Sequence, residues 1–311
     1  MTKILRIAII GAGPVGLEAA LALSTLGHDV HVYERGALAD AVRRWSHVTL
    51  FSAWELNVSA LGLEALERQG LEPPPPQAFP TGAEYVERYL IPLSQDPQLE
   101  GRIHTQTEVL SVGRKGVLKG ELIASNKRRE RPFRMLLRDH TGQERYAHAD
   151  IVLDSSGTYG NPNALGDGGT PALGEATAAK GNRIIYTIPN VLGDERPIFA
   201  GRHTLVVGAG YSAITTLRAL LKLQEEVPET RITWLTRAQD QPYTELPDDP
   251  LPQRDVLAKL GNRIARGEHQ GIHYVGLSHV EALTQHDDGT LAVAEFGKDI
   301  ALREWIVGQF C

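Results

Sequence analysis

Two glycine-rich turns are the segments of this sequence best suited to bind a charged ligand. The first reads GAGPVG and places Gly11, Gly13 and Gly16 at a G-x-G-x-x-G spacing. Gly11 permits a sharp exit from a strand, Gly13 puts no side chain between the backbone and a pyrophosphate, and Gly16 lets a helix pack closely on the strand. The N–H groups at the start of that helix would face the anion. The spacing therefore predicts a dinucleotide pyrophosphate site.

The second turn, GAGYSA, repeats this pattern later in the chain. Gly208 and Gly210 take the first two roles, Ala213 replaces the third glycine, and Ser212 offers a hydroxyl close to the pyrophosphate. A glycine-rich turn alone is a weak signal, but a preceding strand and a following helix make it a strong one. Two such turns predict that the chain binds two nucleotides.

The strand that follows each helix ends in residues of different charge. Glu34 ends the first of these strands and can accept hydrogen bonds from both ribose hydroxyls of an adenosine. The second strand ends instead in Thr236 and Arg237. A guanidinium binds a 2′-phosphate through charge-assisted hydrogen bonds worth about 1.5 to 3 kcal/mol, whereas a carboxylate repels it. This difference favours NADPH over NADH at the second turn, with a merely solvated Arg237 as the alternative.

Two nucleotides bound at once suit the passage of a hydride from a nicotinamide to a flavin. The Glu34 turn then suits FAD, and the Arg237 turn suits NADPH. Catalysis would depend mainly on the geometry of two stacked rings. We therefore predict no particular catalytic acid or base and no metal site, and we expect the scattered histidines to be structural or solvated.

The elements around both turns read as βαβ units. ILRIAII at 4–10 is a buried strand, LEAALALSTLG is a helix that ends at Gly27, and DVHVYER is the next strand. TLVVGAG, YSAITTLRALLKLQEE and RITWLTR repeat this order. The predicted fold is α/β with two Rossmann-like dinucleotide-binding domains. An FAD-binding domain with an added β-meander spans 1–198, and an NAD(P)H-binding domain spans 199–311.

The segments between these units carry weaker signals. Residues 45–72 read as mostly helical, and Thr81 with Glu84 forms a capping-box pattern that begins a helix. The strands of the meander are predicted over 102–153. Inside them, 114–134 holds eight basic residues, which we interpret as a solvated hairpin tip rather than a nucleic-acid site. Two last strands are predicted around a turn at 288–289.

Composition limits the classes of function. The 311 residues carry 32 Lys and Arg against 38 Asp and Glu, a formal net charge of −6, so we expect neither a nucleic-acid nor a membrane partner. Cys311 is the single cysteine, which excludes an intrachain disulfide or a CxxC pair and fits a cytoplasmic protein. Glu18 interrupts the N-terminal apolar run, so we expect no signal peptide.

With these motifs in place, the sequence resembles the flavoproteins that have two dinucleotide-binding domains. IIGAGPVGLEAALALSTLGHDVHVYER resembles their FAD-binding segment, ADIVLDSSGTYGNP resembles their second flavin-side signature, and GAGYSA resembles the start of their NAD(P)H domain. Within that superfamily, FPTGAEYVERYL and IFAGRHTLVVGAGYSA look most like segments of class B flavin-dependent monooxygenases. Their fingerprint histidine has a different spacing, because His203 follows Gly201 by two residues rather than four.

The resemblance implies roles for further residues on both sides. On the FAD side it adds Arg35 at the adenosine diphosphate, Val109 at the adenine through its backbone, and Gly157 in the second signature. It also places Trp45 and Ser52 near the flavin ring, although ordinary packing explains these two equally well. Gly208, Gly210, Ser212 and Arg237 carry over to the NADPH side. The implied activity is an FAD-dependent oxidation or hydroxylation of a small-molecule substrate driven by NADPH.

One departure from the family pattern keeps alternatives open. The family returns to a last flavin-domain segment with a Gly-Asp pair, and we find no match for it after Arg237. We expect either a chain that lacks this segment, or a second copy or another chain that completes the site. A nucleotide-binding remnant without activity, or an NADPH dehydrogenase without flavin, are the other hypotheses.

Overall fold

The computed structural model describes residues 3–181, 183–285, 291–295, 298–302 and 306–307. Within them the chain forms two compact units, 1–160 and 161–311. The predicted turn at 288–289 and Cys311 lie outside the described residues. None of the helices in the described ranges has the length and apolar character needed to cross a bilayer.

The first unit contains the first predicted βαβ fold. Its strands are β1 (Arg6–Ile10), β2 (Asp29–Tyr33), β3 (Ile103–His104), β4 (Thr107–Arg114), β5 (Phe133–Asp139), β6 (Glu144–Ala149) and β7 (Ile151–Asp154). Its helices are α1 (Pro14–Thr25), α2 (Asp40–Arg43), α3 (Ala60–Arg68), α4 (Gly82–Tyr85), α5 (Ile91–Ser94) and α6 (Asn126–Arg129). A π-helical segment, Val86–Leu90, joins α4 to α5, and 3-10 turns cover Trp54–Leu56 and Pro97–Leu99.

These strands form two sheets. A parallel sheet has the order β3-β2-β1-β7, and an antiparallel meander has the order β4-β5-β6. The meander confirms the strands predicted over 102–153, and the basic segment 114–134 connects β4 to β5 through α6. Thr81 and Glu84 form the predicted capping box, because each side chain bonds the other residue's backbone N–H.

The second unit repeats the architecture. Its strands are β8 (Ile184–Ile185), β9 (His203–Val207), β10 (Arg231–Leu235), β11 (His273–Val275), β12 (Val280–Gln285), β13 (Leu291–Glu295), β14 (Lys298–Leu302) and β15 (Ile306–Val307). Its helices are α7 (Glu175–Lys180), α8 (Arg196–Phe199), α9 (Tyr211–Glu226) and α10 (Pro252–Ala265), with a 3-10 turn at Asp167–Gly169. The parallel sheet has the order β11-β10-β9-β15-β8, beside an antiparallel sheet β12-β13-β14.

The structure divides the chain earlier than the predicted boundary between 198 and 199. Residues 161–198 belong to the second unit because β8 pairs with β15 at the edge of its parallel sheet. The bridge between Leu173 and Ala282 ties the same stretch to β12. The stretch is loop-rich, as predicted, and its pairing partners lie far away in sequence. The α/β fold with two Rossmann-like halves is confirmed.

Each unit has its own hydrophobic core. In the first, Leu17 and Leu21 of α1, Val30 and Val32 of β2, and Trp54 belong to one buried hydrophobic cluster. Pro14 at the first helical position starts α1, and Gly27 follows its end in the left-handed conformation, as the sequence predicted. In the second, Trp234 and Phe199 are among the largest fully buried side chains. These cores fix the sheet edges that carry the glycine turns.

Candidate functional site

The first glycine turn leaves β1 with the geometry that glycine allows. Gly11 has φ +100°, and its N–H donates to the carbonyl of Tyr33 at 2.8 Å. A Cβ added to Gly11 would lie 2.7 Å from the carbonyl oxygen of Ser155. Both the left-handed backbone and this contact exclude a larger residue. The Gly11 turn therefore lies directly against the residues that follow β7.

Gly13 and Gly16 differ in their surroundings. Gly13 is the N-cap of α1, and a Cβ placed there would meet nothing within 4 Å. A Cβ on Gly16 would lie 2.0 Å from the carbonyl oxygen of Gly11. The backbone is thus open at the start of the helix and tightly packed three residues later. This is a cradle into which an anion can approach the helix N-terminus.

Glu34 follows β2 and faces the same turn. One carboxylate oxygen accepts the N–H of Ala12 at 2.9 Å, and the other accepts the N–H of Gly36 at 2.8 Å. An ionised carboxylate offers about four lone-pair sites. Two hydrogen bonds therefore leave capacity for two more donors, which matches the two hydroxyls of a ribose. Glu34 is fixed in place before any ligand arrives.

A surface cleft of about 390 Å³ is lined in part by the two residues that follow Glu34 in the chain. Its walls include Arg35, Gly36, Gln106 and Arg138. The Arg35 side chain also reaches Gly160, where an added Cβ would lie 2.2 Å from Nη2. The carboxyl groups of Asp40, Glu108 and Asp139 also line the cleft, and the role of Arg35 at a nucleotide stays a prediction.

The second predicted flavin-side segment meets the first turn. The N–H of Ser155 donates to the carbonyl of Ile10 at 2.9 Å, and its hydroxyl reaches the same oxygen at 2.9 Å. Gly157 follows in the left-handed conformation, with φ +67°. The structure thus brings together the turn at Gly11 and the segment at Gly157, as their shared sheet edge requires.

The remaining FAD-side residues have contacts within the protein. Trp45 packs on Gly82, where an added Cβ would lie 2.8 Å from Cε3 of the indole. The Ser52 hydroxyl donates to the Oδ1 of Asn57 at 3.0 Å. Val109 lies in β4 where the pairing with β5 shifts register. Their roles toward a flavin stay predictions, and the packing alternative for Trp45 and Ser52 has the contacts it requires.

The second turn has the same backbone as the first. Gly208 has φ +101°, and its N–H donates to the carbonyl of Leu235 at 2.8 Å. Gly210 is the extended N-cap of the 16-residue helix α9. Ser212 lies in the first turn of that helix, and its carbonyl accepts the hydroxyl of Thr216 at 3.0 Å. The predicted repetition of the glycine-rich turn is confirmed in its backbone.

The matching hydrogen bonds align the strand ends. Because Gly11 bonds Tyr33 and Gly208 bonds Leu235, Glu34 corresponds to Thr236 and Arg35 corresponds to Arg237. Thr236 is buried, and its hydroxyl lies 2.6 Å from the phenol oxygen of Tyr274. Arg237 is exposed. The second strand end therefore has the small hydroxyl of Thr236 where the first has the carboxylate of Glu34. The exposed guanidinium of Arg237 belongs to the next residue.

Two residues that bond the second turn were not predicted from the sequence. The indole N–H of Trp234 donates to the carbonyl of Gly208 at 2.7 Å, and the phenol of Tyr243 donates to the carbonyl of Gly210 at 3.0 Å. Burial raises the pKa of the Tyr243 phenol above its ordinary value, so it stays protonated and keeps donating. An aromatic residue in a strand or loop gives no signal of such a bond.

His203 is the first residue of β9. Its Nε2 is 2.9 Å from the hydroxyl of Thr233 on the neighbouring strand, and burial is the largest cause that lowers its pKa. Both observations fit a structural histidine. Among the described residues there is no group of three or more His, Cys, Asp or Glu that could hold a metal ion.

Comparison with known proteins places the fold. A family model described as pyridine nucleotide-disulphide oxidoreductase matches residues 8–129, which include the first turn and Glu34. No curated protein matches the sequence significantly. The solved structure of the bacillithiol disulfide reductase Bdr (YpdA) from Bacillus cereus is similar with a TM-score of 0.66 at 20% identity, over 99% of this chain and 77% of that one.

Two monooxygenases are similar at comparable scores. The FAD-bound DfoA, a cadaverine monooxygenase of desferrioxamine biosynthesis from Erwinia amylovora, has a TM-score of 0.66 at 14% identity, over 99% of this chain and 78% of that one. Ornithine hydroxylase (PvdA) from Pseudomonas aeruginosa has a TM-score of 0.62 at 13% identity, over 98% and 82%. At these identities the comparisons establish the fold that these proteins share with this chain.

Proposed function

We propose that this protein is an oxidoreductase that binds FAD at the first glycine turn and NADPH at the second. The observation that carries the proposal is the duplication itself. One chain builds two turns of the same backbone, with φ +100° at Gly11 and +101° at Gly208, but ends the adjoining strands in Glu34 and in Thr236-Arg237. The FAD-bound neighbour and the matching family model support this assignment.

The chain's own groups account for the binding. Gly13 leaves the start of α1 open, so the pyrophosphate of FAD can lie against its N–H groups. Glu34 has acceptor capacity left for the ribose hydroxyls. At the second turn, α9 offers the same kind of N-terminus, and Arg237 supplies the charge that a 2′-phosphate requires. When both cofactors are bound, NADPH supplies a hydride and the flavin accepts it.

For the reaction we propose a monooxygenase-like oxidation of a small-molecule substrate. Two of the similar structures are monooxygenases or hydroxylases by their descriptions, and the sequence resembles class B monooxygenases over two segments. The bacillithiol disulfide reductase is equally similar in fold. A dithiol mechanism needs two neighbouring cysteines, and this sequence has one cysteine. This difference favours oxygenation over the reduction of a disulfide by a cysteine pair.

Flavin reduction tests the proposal directly. We expect purified protein to be yellow, or to become yellow with added FAD, and to bleach anaerobically with NADPH. Repeating the reaction in air, with analysis of hydrogen peroxide and of hydroxylated product, separates oxygenation from simple oxidation. A protein that takes up no FAD contradicts the proposal and supports the nucleotide-binding remnant.

Arg237→Ala tests the choice of nicotinamide nucleotide. We expect the Kd for NADPH to rise about tenfold to a hundredfold, because the charge-assisted bonds to the 2′-phosphate are lost, while the Kd for NADH stays unchanged. Arg231→Ala is a matched control, since Arg231 is an exposed arginine at the opposite end of β10. Equal affinity of the R237A variant and the parent for NADPH would contradict the assigned role.

A further inference from the structure

We infer that Trp234 and Tyr243 are positioning residues of the second turn: their buried donors orient its peptide groups for the pyrophosphate of NADPH. The inference deepens the proposed function and rests on it. Neither residue belongs to the G-x-G-x-x-A pattern, and Tyr243 comes after β10 in the stretch that leads to α10. Both nonetheless bond carbonyls of the turn itself.

The bonds fix two peptide planes. A trans peptide group is planar, so its C=O and N–H point in opposite directions. The Gly208 carbonyl receives Trp234 Nε1 at 2.7 Å, and the N–H of the same peptide group belongs to Ala209. The Gly210 carbonyl receives the Tyr243 phenol at 3.0 Å, and the N–H of that group belongs to Tyr211. The Gly210 carbonyl also accepts the N–H groups of Ala213 at 3.1 Å and Ile214 at 3.4 Å, so Tyr243 adds a side-chain donor to the helix bonds there, whereas Trp234 is the side-chain donor at Gly208. Carbonyls held in this way direct the N–H groups of Ala209 and Tyr211 to the opposite side, where the proposed function places the pyrophosphate.

Both donors are held by packing. Trp234 is fully buried and Tyr243 is 4% exposed, and their rings stack with centroids 6.2 Å apart. The backbone of Tyr243 is bound to α10 by Asn262, whose amide accepts at 3.0 Å and donates at 2.9 Å. Gly261 completes the fit, because a Cβ there would lie 2.3 Å from the Tyr243 ring. Donors fixed in this way keep the turn oriented before a ligand binds.

The first turn is held differently. There the Ser155 hydroxyl donates to the carbonyls of Ile10 at 2.9 Å and Gly11 at 3.3 Å. The position equivalent to Trp234, one residue before the carbonyl that accepts the glycine N–H, is Val32, which has no side-chain donor. The aromatic donors are therefore a feature of the second turn, and removing them should affect the nicotinamide nucleotide and leave FAD unaffected.

Three ligands separate this role from a general loss of structure. NADPH and NADH both carry the pyrophosphate, whereas adenosine 2′-monophosphate carries the 2′-phosphate without it. For Trp234→Phe and Tyr243→Phe in the full chain, we expect the Kd values of NADPH and NADH to rise about threefold to tenfold, the effect of one lost neutral hydrogen bond. The Kd of adenosine 2′-monophosphate should stay unchanged.

Two further variants complete the experiment. Arg237→Ala should show the complementary pattern, with weaker NADPH and adenosine 2′-monophosphate and unchanged NADH. Tyr186→Phe is the matched control, because it removes a phenol bond to the buried Glu175 of α7 in the same unit. It should leave all three affinities unchanged. Tyr243→Phe deletes a single oxygen atom, so it carries the test even if the indole replacement prevents folding.

The possible outcomes distinguish failure of the positioning role from failure of the proposed function. Unchanged NADPH and NADH affinities in both aromatic variants, together with the expected pattern for R237A, overturn the positioning role and leave the proposed function intact. An equal loss of all three ligands indicates collapse of the site and also overturns the positioning role. A parent protein that binds neither NADPH nor NADH overturns the proposed function and this inference with it.

Discussion

Alanine substitutions at Gly16 and Gly13 should separate the fold of the first turn from its ligand. A Cβ at Gly16 would lie 2.0 Å from the carbonyl oxygen of Gly11 and 2.8 Å from the Ser155 hydroxyl. Ordinary contacts begin near 3.4 Å, so α1 would have to retreat from β1 by about 1.4 Å. A backbone carbonyl cannot swing aside as a flexible side chain can. Gly16→Ala should therefore strain the helix–strand contact.

The change in the free energy of unfolding caused by Gly16→Ala is the sum of two opposing effects. Overpacking of this kind costs about 1 to 3 kcal/mol, and a clash with backbone lies at or above the upper end. Alanine regains about 1 kcal/mol through its better helix propensity. We expect the free energy of unfolding to fall by about 2 kcal/mol, which lowers the Tm of a unit of this size by about 4 to 8 °C.

Gly13→Ala should behave in the opposite way. Gly13 has φ −84° and no atom within 4 Å of an added Cβ, so alanine fits the free protein. We expect its free energy of unfolding to stay within about 0.5 kcal/mol, since the weaker N-cap is offset by the stiffer unfolded chain. The methyl group would instead occupy the approach to the helix N-terminus. The Kd for FAD should rise at least about tenfold, because the pyrophosphate can no longer touch the backbone.

Thermal unfolding without added FAD and titration with FAD measure the two effects independently, because a bound cofactor would otherwise raise the Tm by mass action. Equal loss of Tm in both variants would refute the difference in packing that the structure shows. Parent-like FAD affinity in the G13A variant would refute the placement of the pyrophosphate, and with it the assignment of FAD to this turn.

Two further predictions concern stability of the first unit. Hydrogen bonds from the backbone N–H of Thr81 and, second, from its hydroxyl lower the pKa of Glu84 below its ordinary 4.5. A carboxyl group whose pKa is lowered by folding stabilises the fold fully at pH values above the unfolded pKa. This stabilisation is lost as the pH falls through the folded pKa. Glu84→Gln should therefore lower the free energy of unfolding by about 0.5 to 1 kcal/mol at pH 7, as measured by urea unfolding, and leave it unchanged at strongly acidic pH. An equal loss at both pH values would contradict the role of the charge. Tyr89→Phe removes a buried phenol bond to the Glu18 carboxylate, so we expect a loss of about 1.5 to 3 kcal/mol by the same assay, and a loss below 0.5 kcal/mol would contradict it.

Local patterns were sufficient for the elements that surround each turn. The strand before Gly11, the helix after Gly13 and the strand before Glu34 all depend on neighbours within one short stretch, and the structure confirms each of them. The same holds for the capping box at Thr81. Such signals are readable because the residues that form the element also carry the hydrophobic period and the turn chemistry.

Features that depend on distant partners could not be predicted in this way. β8 and β15 have two residues each, and they are strands because β15 pairs with β9 on one side and with β8 on the other. This pairing assigns 161–198 to the second unit, contrary to the predicted boundary. Helix α10 was missed as well, although Leu257, Gly261 and Ile264 lie on its buried face at helical spacing. Its many charged residues conceal that period in the sequence.

The two turns also show why their ligands are distinguished by so few residues. Their backbones agree at the left-handed glycine, at the hydrogen bond from that glycine to the end of the next strand in the chain, and at the extended N-cap, so both turns present the same N–H groups. In the proposed function, the choice of nucleotide at each turn must then depend on side chains. The aligned strand ends supply such side chains, because Glu34 corresponds to Thr236 and brings an acceptor where the second turn has a small hydroxyl beside the exposed Arg237. The hydrogen bonds from Trp234 and Tyr243 to the second turn are a further difference. Under the proposed function, selectivity between the two nucleotides therefore resides in residues outside the glycine motif, whereas the motif itself provides the general affinity for a pyrophosphate.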